Sequence, residues 1–561
     1  MLSPHPMMDQ LVAHSGQGMM MLAPPATYDE ARAAFAWNVP DRLNMGVEVL
    51  DAPASRTPDA AAIIDGQSGD VSTFGTLAND AARLCGALQA LSAKRGDRVA
   101  VIAPQGPRTL IVQAALLRSG LISVPLSERY GRDALDHRMR DSGARFAFVS
   151  KAGFAALATL IDELPDLEQI ITMDGAESGA LLYDQILADK GEPVPAADTG
   201  PDDPCLMIYT SGTTGPAKGA LHGHRVLAGH LPGFLFAHGG SVSHDDVFYT
   251  PADWAWAGGM LNLLFPALSL GCPVVAFPAM KGFEAARVVS MMGQRGVSHA
   301  FLPPTALKMI RGTVDDADVR AIGLRSVMSA GEALGRETYQ WADSALGFPI
   351  SEAYGQTECN LIIGSSQGFG ASRAGATGKA VPGHNVYVIR EDGSQAEPGE
   401  LGEIAVGAPD PVMFLGYWNA DFATQRKYIT SPNFGQLLLT GDMAMRDVDE
   451  FIWFMGRDDD VITSSGHRIG PGEIEDSLTG HPAVSMAAVI GVPDPLRTQI
   501  VRAFVVLRDG YEPSDAIAES LRVHVRANLA AHEYPRDIRF VDELPMTTTG
   551  KIIRRMLKDI D

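Results

Sequence analysis

The chain has 561 residues, 46% hydrophobic and 20% charged, and its 45 Lys and Arg against 67 Asp and Glu leave a formal net charge of −22. That length accommodates several domains at roughly 100–200 residues each, and the composition is that of a globular protein with material for a large core. So acidic a balance excludes a general nucleic-acid surface, although local cations can still bind phosphates.

Residues 1–25 are rich in Met but lack the basic start and sustained apolar run of a signal peptide, and read as a loose arm. Cys85, Cys205, Cys272 and Cys359 are widely spaced, form no zinc pattern and suit reduced thiols in a cytoplasm. From residue 60 the pattern alternates. Strands are predicted over 61–64, 98–103, 121–125 and 146–150. Between the first two, Phe74, Leu77, Ala81, Leu84, Leu88 and Leu91 recur at helical spacing. Further helices are predicted over 109–117 and 133–141. This βαβα succession predicts a mostly parallel sheet covered by helices, and it resumes with a strand over 273–277, a helix over 284–295 and a strand over 299–302. Residues 254–280 carry no charge and have the length of a membrane span. Pro266, Pro273 and Pro278 interrupt them and Asn262 sits inside, so buried strand and helix separated by turns is expected, with no membrane span.

Beyond that the texture changes. Short extended pieces broken by Gly and Pro over 375–455, such as 386–389 and 402–406, predict antiparallel β structure. From 460 a small α/β unit is expected, with helices over 471–478 and 514–529 and strands over 486–492, 501–507 and 538–541. The charged run 457–460 marks the boundary, giving an N-terminal domain over 1–458 and a C-terminal domain over 459–561.

The densest chemistry lies at Tyr209-Thr210-Ser211-Gly212-Thr213-Thr214-Gly215-Pro216-Ala217-Lys218, after the apolar Leu206-Met207-Ile208. Glycines let a backbone turn its N–H groups inward into an anion-binding nest, hydroxyls add donors, and Lys218 brings a mobile charge suited to phosphate. It is not the common P-loop, because no Ser or Thr follows the lysine to hold Mg²⁺. A second turn, Ser329-Ala330-Gly331-Glu332-Ala333, follows a strand predicted over 324–328, at the kind of strand end where open α/β sheets bind ligands. In Glu352-Ala353-Tyr354-Gly355-Gln356-Thr357-Glu358, Tyr354 can stack on a base, Thr357 can donate to phosphate and Glu358 can help hold Mg²⁺. Asp442, after Leu439-Thr440-Gly441, suits a pair of ribose hydroxyls. Arg457, the run Ser464-Ser465-Gly466-His467-Arg468 and a final Gly550-Lys551 follow. Taken singly, each segment reads as a turn, a surface carboxylate or a basic tail.

In this order and spacing, over residues 60–558, the segments resemble the signature motifs of the adenylate-forming superfamily. Within that superfamily the chain is most similar to medium-chain acyl-CoA synthetases, through Thr27-Tyr28-Asp29-Glu30, Phe35-Ala36-Trp37-Asn38-Val39-Pro40, Pro493-Asp494-Pro495-Leu496-Arg497 and Tyr534-Pro535-Arg536. Ala217 and Ala333 stand where prolines are frequent, and neither change removes a functional group. The resemblance implies an α/β fold: a large N-terminal domain of helix-covered sheets with a β subdomain, and a small mobile C-terminal domain turning about Asp459. It implies that ATP and a carboxylic acid give an acyl-adenylate, which coenzyme A then converts to a thioester.

By the same likeness Thr210 to Lys218 hold the β- and γ-phosphates. Gly331, Glu332, Ala333, Glu352, Ala353, Tyr354, Gly355, Gln356 and Thr357 line the AMP site, with Tyr354 against the adenine and Thr357 on the α-phosphate. Asp442 and Arg457 take the ribose, Arg468 a phosphate, and Glu358 Mg²⁺. Lys551 bridges the attacking carboxylate and the phosphate, where negative charge builds. Ser465, Gly466 and His467 line the pantetheine path, and Arg497, Arg526, Tyr534, Pro535 and Arg536 contact coenzyme A. Acetyl-CoA synthetases carry a tryptophan where this chain has Gly355, and larger side chains near Trp256 where it has Ala257 and Gly258. An acid larger than acetate is therefore expected. The alternatives are an adenylation enzyme that loads a carrier protein, and a nucleotide sensor, which would not need Lys551.

Overall fold

The computed structural model describes residues 27–210, 216–240, 242–278, 283–332, 334–457, 460–464, 467–494, 497–529, 533–546, 552–558 and 560, with the backbone alone at 463, 467 and 468. The strands begin with β1 (Ala61–Asp65), β2 (Val71–Thr73), β3 (Arg98–Ile102), β4 (Ile122–Pro125), β5 (Phe146–Val149), β6 (Gln169–Thr172), β7 (Leu181–Leu182) and β8 (Pro204–Thr210). Next come β9 (Lys218–Gly223), β10 (Phe248–Tyr249), β11 (Val274–Ala276), β12 (His299–Phe301), β13 (Ser326–Ala330), β14 (Ser351–Tyr354), β15 (Ile363–Gly364) and β16 (Lys379–Ala380). The β subdomain adds β17 (Val386–Ile389), β18 (Leu401–Gly407), β19 (Gly416–Tyr417), β20 (Tyr428–Ser431), β21 (Gly435–Arg446) and β22 (Ile452–Arg457). The C-terminal domain holds β23 (Ile462–Ser464), β24 (His467–Ile469), β25 (Val484–Asp494), β26 (Thr498–Leu507) and β27 (Asp537–Phe540). The helices used below are α1 (Phe74–Ala90), α2 (Pro107–Arg118), α3 (Arg132–Ser142), α4 (Val226–Ala237), α5 (Ala285–Gln294), α6 (Pro304–Thr313), α7 (Arg336–Leu346), α8 (Pro471–Thr479) and α9 (Asp515–Asn528).

Burial on single strands explains the layering. On β3, Val99 and Val101 join a core with Leu84 and Leu88 of α1 and Leu110 and Leu116 of α2. The intervening Ala100 and Ile102 pack on the opposite face with Leu135 and Met139 of α3. Strands buried on both faces read as continuous apolar runs and are paired in parallel. The second sheet repeats the device: Phe248 and Val274 share the core of α1 and α2, while Tyr249 and Val275 pack with α5 and α6. The helices α1, α2 and α4 thus lie between two sheets. Every residue of α4 is buried, so the helix has no polar face to show in the sequence.

One sheet runs β16-β15-β14-β13-β12-β10-β11-β1-β2 and the other β19-β9-β8-β4-β3-β5-β6-β7. A third, antiparallel sheet runs β17-β18-β21-β20 with β22 on β21, as the Gly- and Pro-broken pieces predict. The small C-terminal sheet, β24-β23-β26-β25 with β27 on β26, packs Val489, Val501, Ala503 and Val505 against Ile474 and Leu478 of α8 and Leu521 and Val525 of α9. The fold is a large α/β domain of mixed sheets followed by a small C-terminal α/β domain.

One detail differs from the sequence reading. The strand predicted over 324–328 lies two residues later, as β13, because Ser329 and Ala330 continue the parallel ladder opposite Glu352 and Ala353. The strands on either side of the glycine-rich loop are antiparallel, with Thr210 opposite Lys218. The uncharged stretch from 254 folds as short buried helical turns around Phe265–Ser269 and then β11, with Pro266 at a helix start where its missing N–H costs nothing. No helix among the described residues is long and apolar enough to cross a membrane.

Candidate active site

Parallel pairing of β13 with β14 brings two of the sequence motifs to one edge. Residues 331–335 and 355–358 leave the carboxyl ends of neighbouring strands, the position where open α/β sheets expose backbone to ligands. Gly331 takes φ +99°, a conformation that side chains with a Cβ rarely adopt. Glu332 accepts a bond from Thr305 Oγ1 at 2.9 Å. Desolvation pushes the Glu352 carboxyl up to about 8, against the opposing effect of the Leu334 backbone N–H bonded to it. Ala353 is buried in the strand between Glu352 and Tyr354, and Thr357 stays partly exposed on the turn.

Four side chains that the sequence reading assigned to the nucleotide meet at Asp442. Its Oδ2 accepts from Tyr354 Oη at 2.6 Å and from Gln356 Nε2 at 2.5 Å, and Gln356 also donates to the Thr440 carbonyl at 2.8 Å. Arg457 stands opposite Asp442 in the β21–β22 ladder and brings Nη1 to 3.3 Å from Oδ1. Asp442 is buried, and its position is set by a Thr440 hydroxyl that receives the Asp442 N–H at 3.1 Å. The Tyr354 ring packs at 5.8 Å from Phe454, and burial followed by the charge of Asp442 raises its hydroxyl well above the ordinary tyrosine value.

On the other side of the turn Glu358 is buried and accepts a hydrogen bond from Tyr417 Oη. The Tyr417 ring in turn lies 5.6 Å from Lys218 Nζ. Lys218 and Tyr417 are brought together because β19 pairs with β9, Tyr417 opposite Ala220. Burial and the Glu358 charge both push the Tyr417 hydroxyl upward, so it stays a donor. Tyr417 was missed in the sequence, where Gly416-Tyr417-Trp418 offers no spacing or charge that points to chemistry. Ser211, Gly212, Thr213, Thr214 and Gly215 lie outside the described residues, as do Ala333, Asp459, Ser465, Gly466 and Lys551. Among the described residues no three His, Cys, Asp or Glu side chains form a metal cluster.

The residues assigned to the acyl pocket divide. Trp256 meets Tyr130 edge to face at 5.6 Å, and Ala257 and Gly258 are partly exposed where the chain passes Phe301. A Cβ on Gly258 would lie 3.1 Å from the Phe301 ring, close enough that the ring would have to give way. Gly355 is closed more firmly. A Cβ there would meet Leu361 N at 2.4 Å and the Asn360 backbone at 2.8 Å, because the chain folds back against it. The missing side chain at 355 is filled by main chain, and the expectation that it opens a pocket is corrected. Asp253, beside this region, spends both oxygens internally: Ser127 Oγ donates to one at 2.8 Å and Ala255 N to the other at 3.0 Å.

In the C-terminal domain Ser464 stands opposite Thr498, so the hairpin carrying His467 and Arg468 lies beside the strand that follows Arg497. Tyr534 is covered by Arg526 at 3.9 Å and Arg536 at 4.9 Å, with Pro535 buried between. The Arg526 hydrogen bond, then the fields of Arg536 and Arg497, lower the Tyr534 hydroxyl below its ordinary value. Two cations on one aromatic ring, with Arg497 near enough to add its field, make an anion-attracting surface within an acidic protein.

Against known proteins, the profile of the family described as "AMP-binding enzyme" matches residues 50–418, and that of the "AMP-binding enzyme C-terminal domain" matches residues 473–551. The chain is 30% identical to the acetyl-coenzyme A synthetase of Bacillus subtilis strain 168, over 92% of this chain and 90% of that protein. It is 32% identical to the human mitochondrial acyl-coenzyme A synthetase ACSM4, over 83% of this chain and 80% of that one. The crystal structure of the anthranilate CoA ligase AuaEII in complex with anthranoyl-AMP superposes with a TM-score of 0.84 at 27% identity, covering 93% of this chain and 98% of that one.

Proposed function

The chain belongs to the AMP-binding enzyme family, whose adenylate-forming members activate acids, and from that premise we propose that it is an ATP-dependent acyl-coenzyme A synthetase acting on a carboxylic acid larger than acetate. The acid's carboxylate oxygen bonds to the α-phosphorus of ATP as the bond to pyrophosphate breaks. Coenzyme A sulfur then bonds to the acyl carbon, AMP leaves, and the thiol proton passes to solvent.

Asp442, oriented by Tyr354 and Gln356 and flanked by Arg457, is built to accept from ribose hydroxyls without reorganising. Thr210, Lys218 and the loop between them face the β- and γ-phosphates, Thr357 the α-phosphate, and Lys551 the charge that builds as carboxylate and phosphate meet. Glu358 fits Mg²⁺ in the way this ion prefers, one protein carboxylate plus substrate phosphates, with Tyr417 holding one carboxylate oxygen. Bound there, the ion would neutralise phosphate charge. The Asp459 hinge and the withdrawal of Lys551 between half-reactions belong to the same proposal, as do the domain limits 1–458 and 459–561.

The observation that carries coenzyme A over a carrier protein is the Arg497, Arg526 and Arg536 group around Tyr534 beside the His467 hairpin, a cationic surface for a ligand with several phosphates. The two relatives named above are coenzyme A synthetases. The size of the acid rests on the resemblance alone, Ala257 and Gly258 standing where acetate-specific relatives have larger side chains, and the likeness to the medium-chain family on the motifs near residues 27–40, 493–497 and 534–536. Pyrophosphate release over a panel of carboxylic acids, with and without coenzyme A, tests the reading. Thioester formed from an acid of several carbons supports it. Adenylate that accumulates and is unaffected by coenzyme A would move the reading to carrier-protein loading, and a best rate with acetate would end the claim on size.

A further inference from the structure

The stretch that ends at Gly335 is tied across the domain interface by one carboxylate. Asp476 on α8 of the C-terminal domain accepts the Arg336 N–H at 2.8 Å. Arg336 opens α7, whose N-cap is Gly335 at φ +83° with no capping side chain of its own. The first N–H groups of a helix have no partner inside it, so α7 receives its cap from the other domain. Gly335 is required twice: its positive φ suits glycine, and a Cβ there would sit 2.1 Å from Asp476 Oδ1. Lys308 and Arg311 of α6 and Glu337 of α7 surround the contact, with Arg311 holding Glu337 at 3.0 Å.

We propose that Asp476 is a positioning residue: by capping α7 across the domain interface it fixes residues 334–335, which follow the turn at Gly331 and Glu332, so that affinity for the adenosine nucleotide depends on how the C-terminal domain is docked. This rests on the reading of that loop as part of the nucleotide site. The loop hangs between two anchors, the β13 ladder before it and the α7 cap after it, and only the second belongs to a different domain.

Titration calorimetry with AMP on the full-length protein tests it. Asp476→Ala should weaken AMP about tenfold, the ratio that losing one N-cap carries, and raise the KM for ATP while leaving that for the acid unchanged. Asp476→Asn keeps an oxygen for the Arg336 N–H and should stay within about twofold of the wild type. Gly335→Ala pushes Asp476 aside and should match Asp476→Ala from the opposite side of the interface, which keeps the test open if one variant melts early. AMP bound equally by wild type and Asp476→Ala overturns the proposal alone, as does an Asn variant as weak as the Ala one. A wild-type protein that holds no AMP overturns the nucleotide reading of the loop as well.

Discussion

Tyr354 and Tyr534 both have charged neighbours, and the two domains treat them in opposite ways. Tyr354 is spent: its hydroxyl is fixed on Asp442, which also holds Gln356 and stands 3.3 Å from Arg457. Tyr534 offers its ring faces to Arg526 and Arg536, both exposed, and its hydroxyl is shifted down rather than up. The first arrangement is rigid because Asp442 Oδ2 takes both the Tyr354 and the Gln356 donors, which would be costly to leave unmade. The second is loose because exposed cations on flexible stems can rearrange around a ligand. On the proposed reading, a frame for the chemistry and a surface for an arriving cosubstrate would be made from the same residue types, separated by burial.

The contrast breaks most visibly at Asp442. Asp442→Ala leaves Tyr354 and Gln356 without their acceptor and should lower stability by about 3 kcal/mol. Pyrophosphate release should fall at least about a hundredfold, since orientation and charge are lost together. A folded variant with an unchanged KM for ATP, read by urea melts beside the pyrophosphate assay, would show that the frame is not used.

Next in size is Gly355→Trp. Because main chain already fills the space, it should cost about 1–3 kcal/mol by overpacking, and Gly355→Ala should share part of that loss. If instead the tryptophan variant melts like the wild type and merely rejects longer acids, Gly355 lines the pocket after all.

Arg526→Ala probes the loose side. The KM for coenzyme A should rise about tenfold while acid-dependent pyrophosphate formation and the melting temperature stay put, as for most exposed substitutions. An equal loss of adenylation would place Arg526 in the frame.

Acid should reveal the same division, with the smallest effect per site. His222 and His230 are fully buried in the large domain, and desolvation drives them down to about 3 and about 4. Unfolded, they bind protons near pH 6.5, so between roughly pH 6.5 and 4 the unfolded state binds more protons than the folded one. Stability is therefore full above about pH 6.5 and falls as pH drops, by up to about 1.4 kcal/mol per unit for each histidine. His222→Leu should flatten the slope between pH 7 and pH 5 in urea melts, and an unchanged slope would place the acid sensitivity elsewhere.

Much of the architecture was legible because strands buried on both faces leave apolar runs and helices leave a period, as at Phe74 to Leu88. The family was legible too, through the order and spacing of motifs that singly read as turns or surface carboxylates. What was not legible is pairing at a distance. Nothing local says that Tyr354 will find Asp442, that Tyr417 will reach Glu358, or that Asp476 will cap a helix of the other domain. Gly355 misled for a related reason: a missing side chain looks like space until the backbone that occupies it is located. Buried histidines such as His222 carry no pattern at all, since their environment is set by strands and helices that are remote in sequence.

The pairing of β1 with β11 has a consequence for synthesis. Ile63 lies opposite Val274, roughly two hundred residues further along the chain. A ribosome adding roughly 5–20 residues per second needs on the order of ten to forty seconds to supply that partner. During this interval the apolar edge of β1 can pair only with β2, and the sheet's other end, β16, is not yet made. The large domain therefore matures late on the ribosome, and its opening strands are the part of the nascent chain most in need of a holding chaperone.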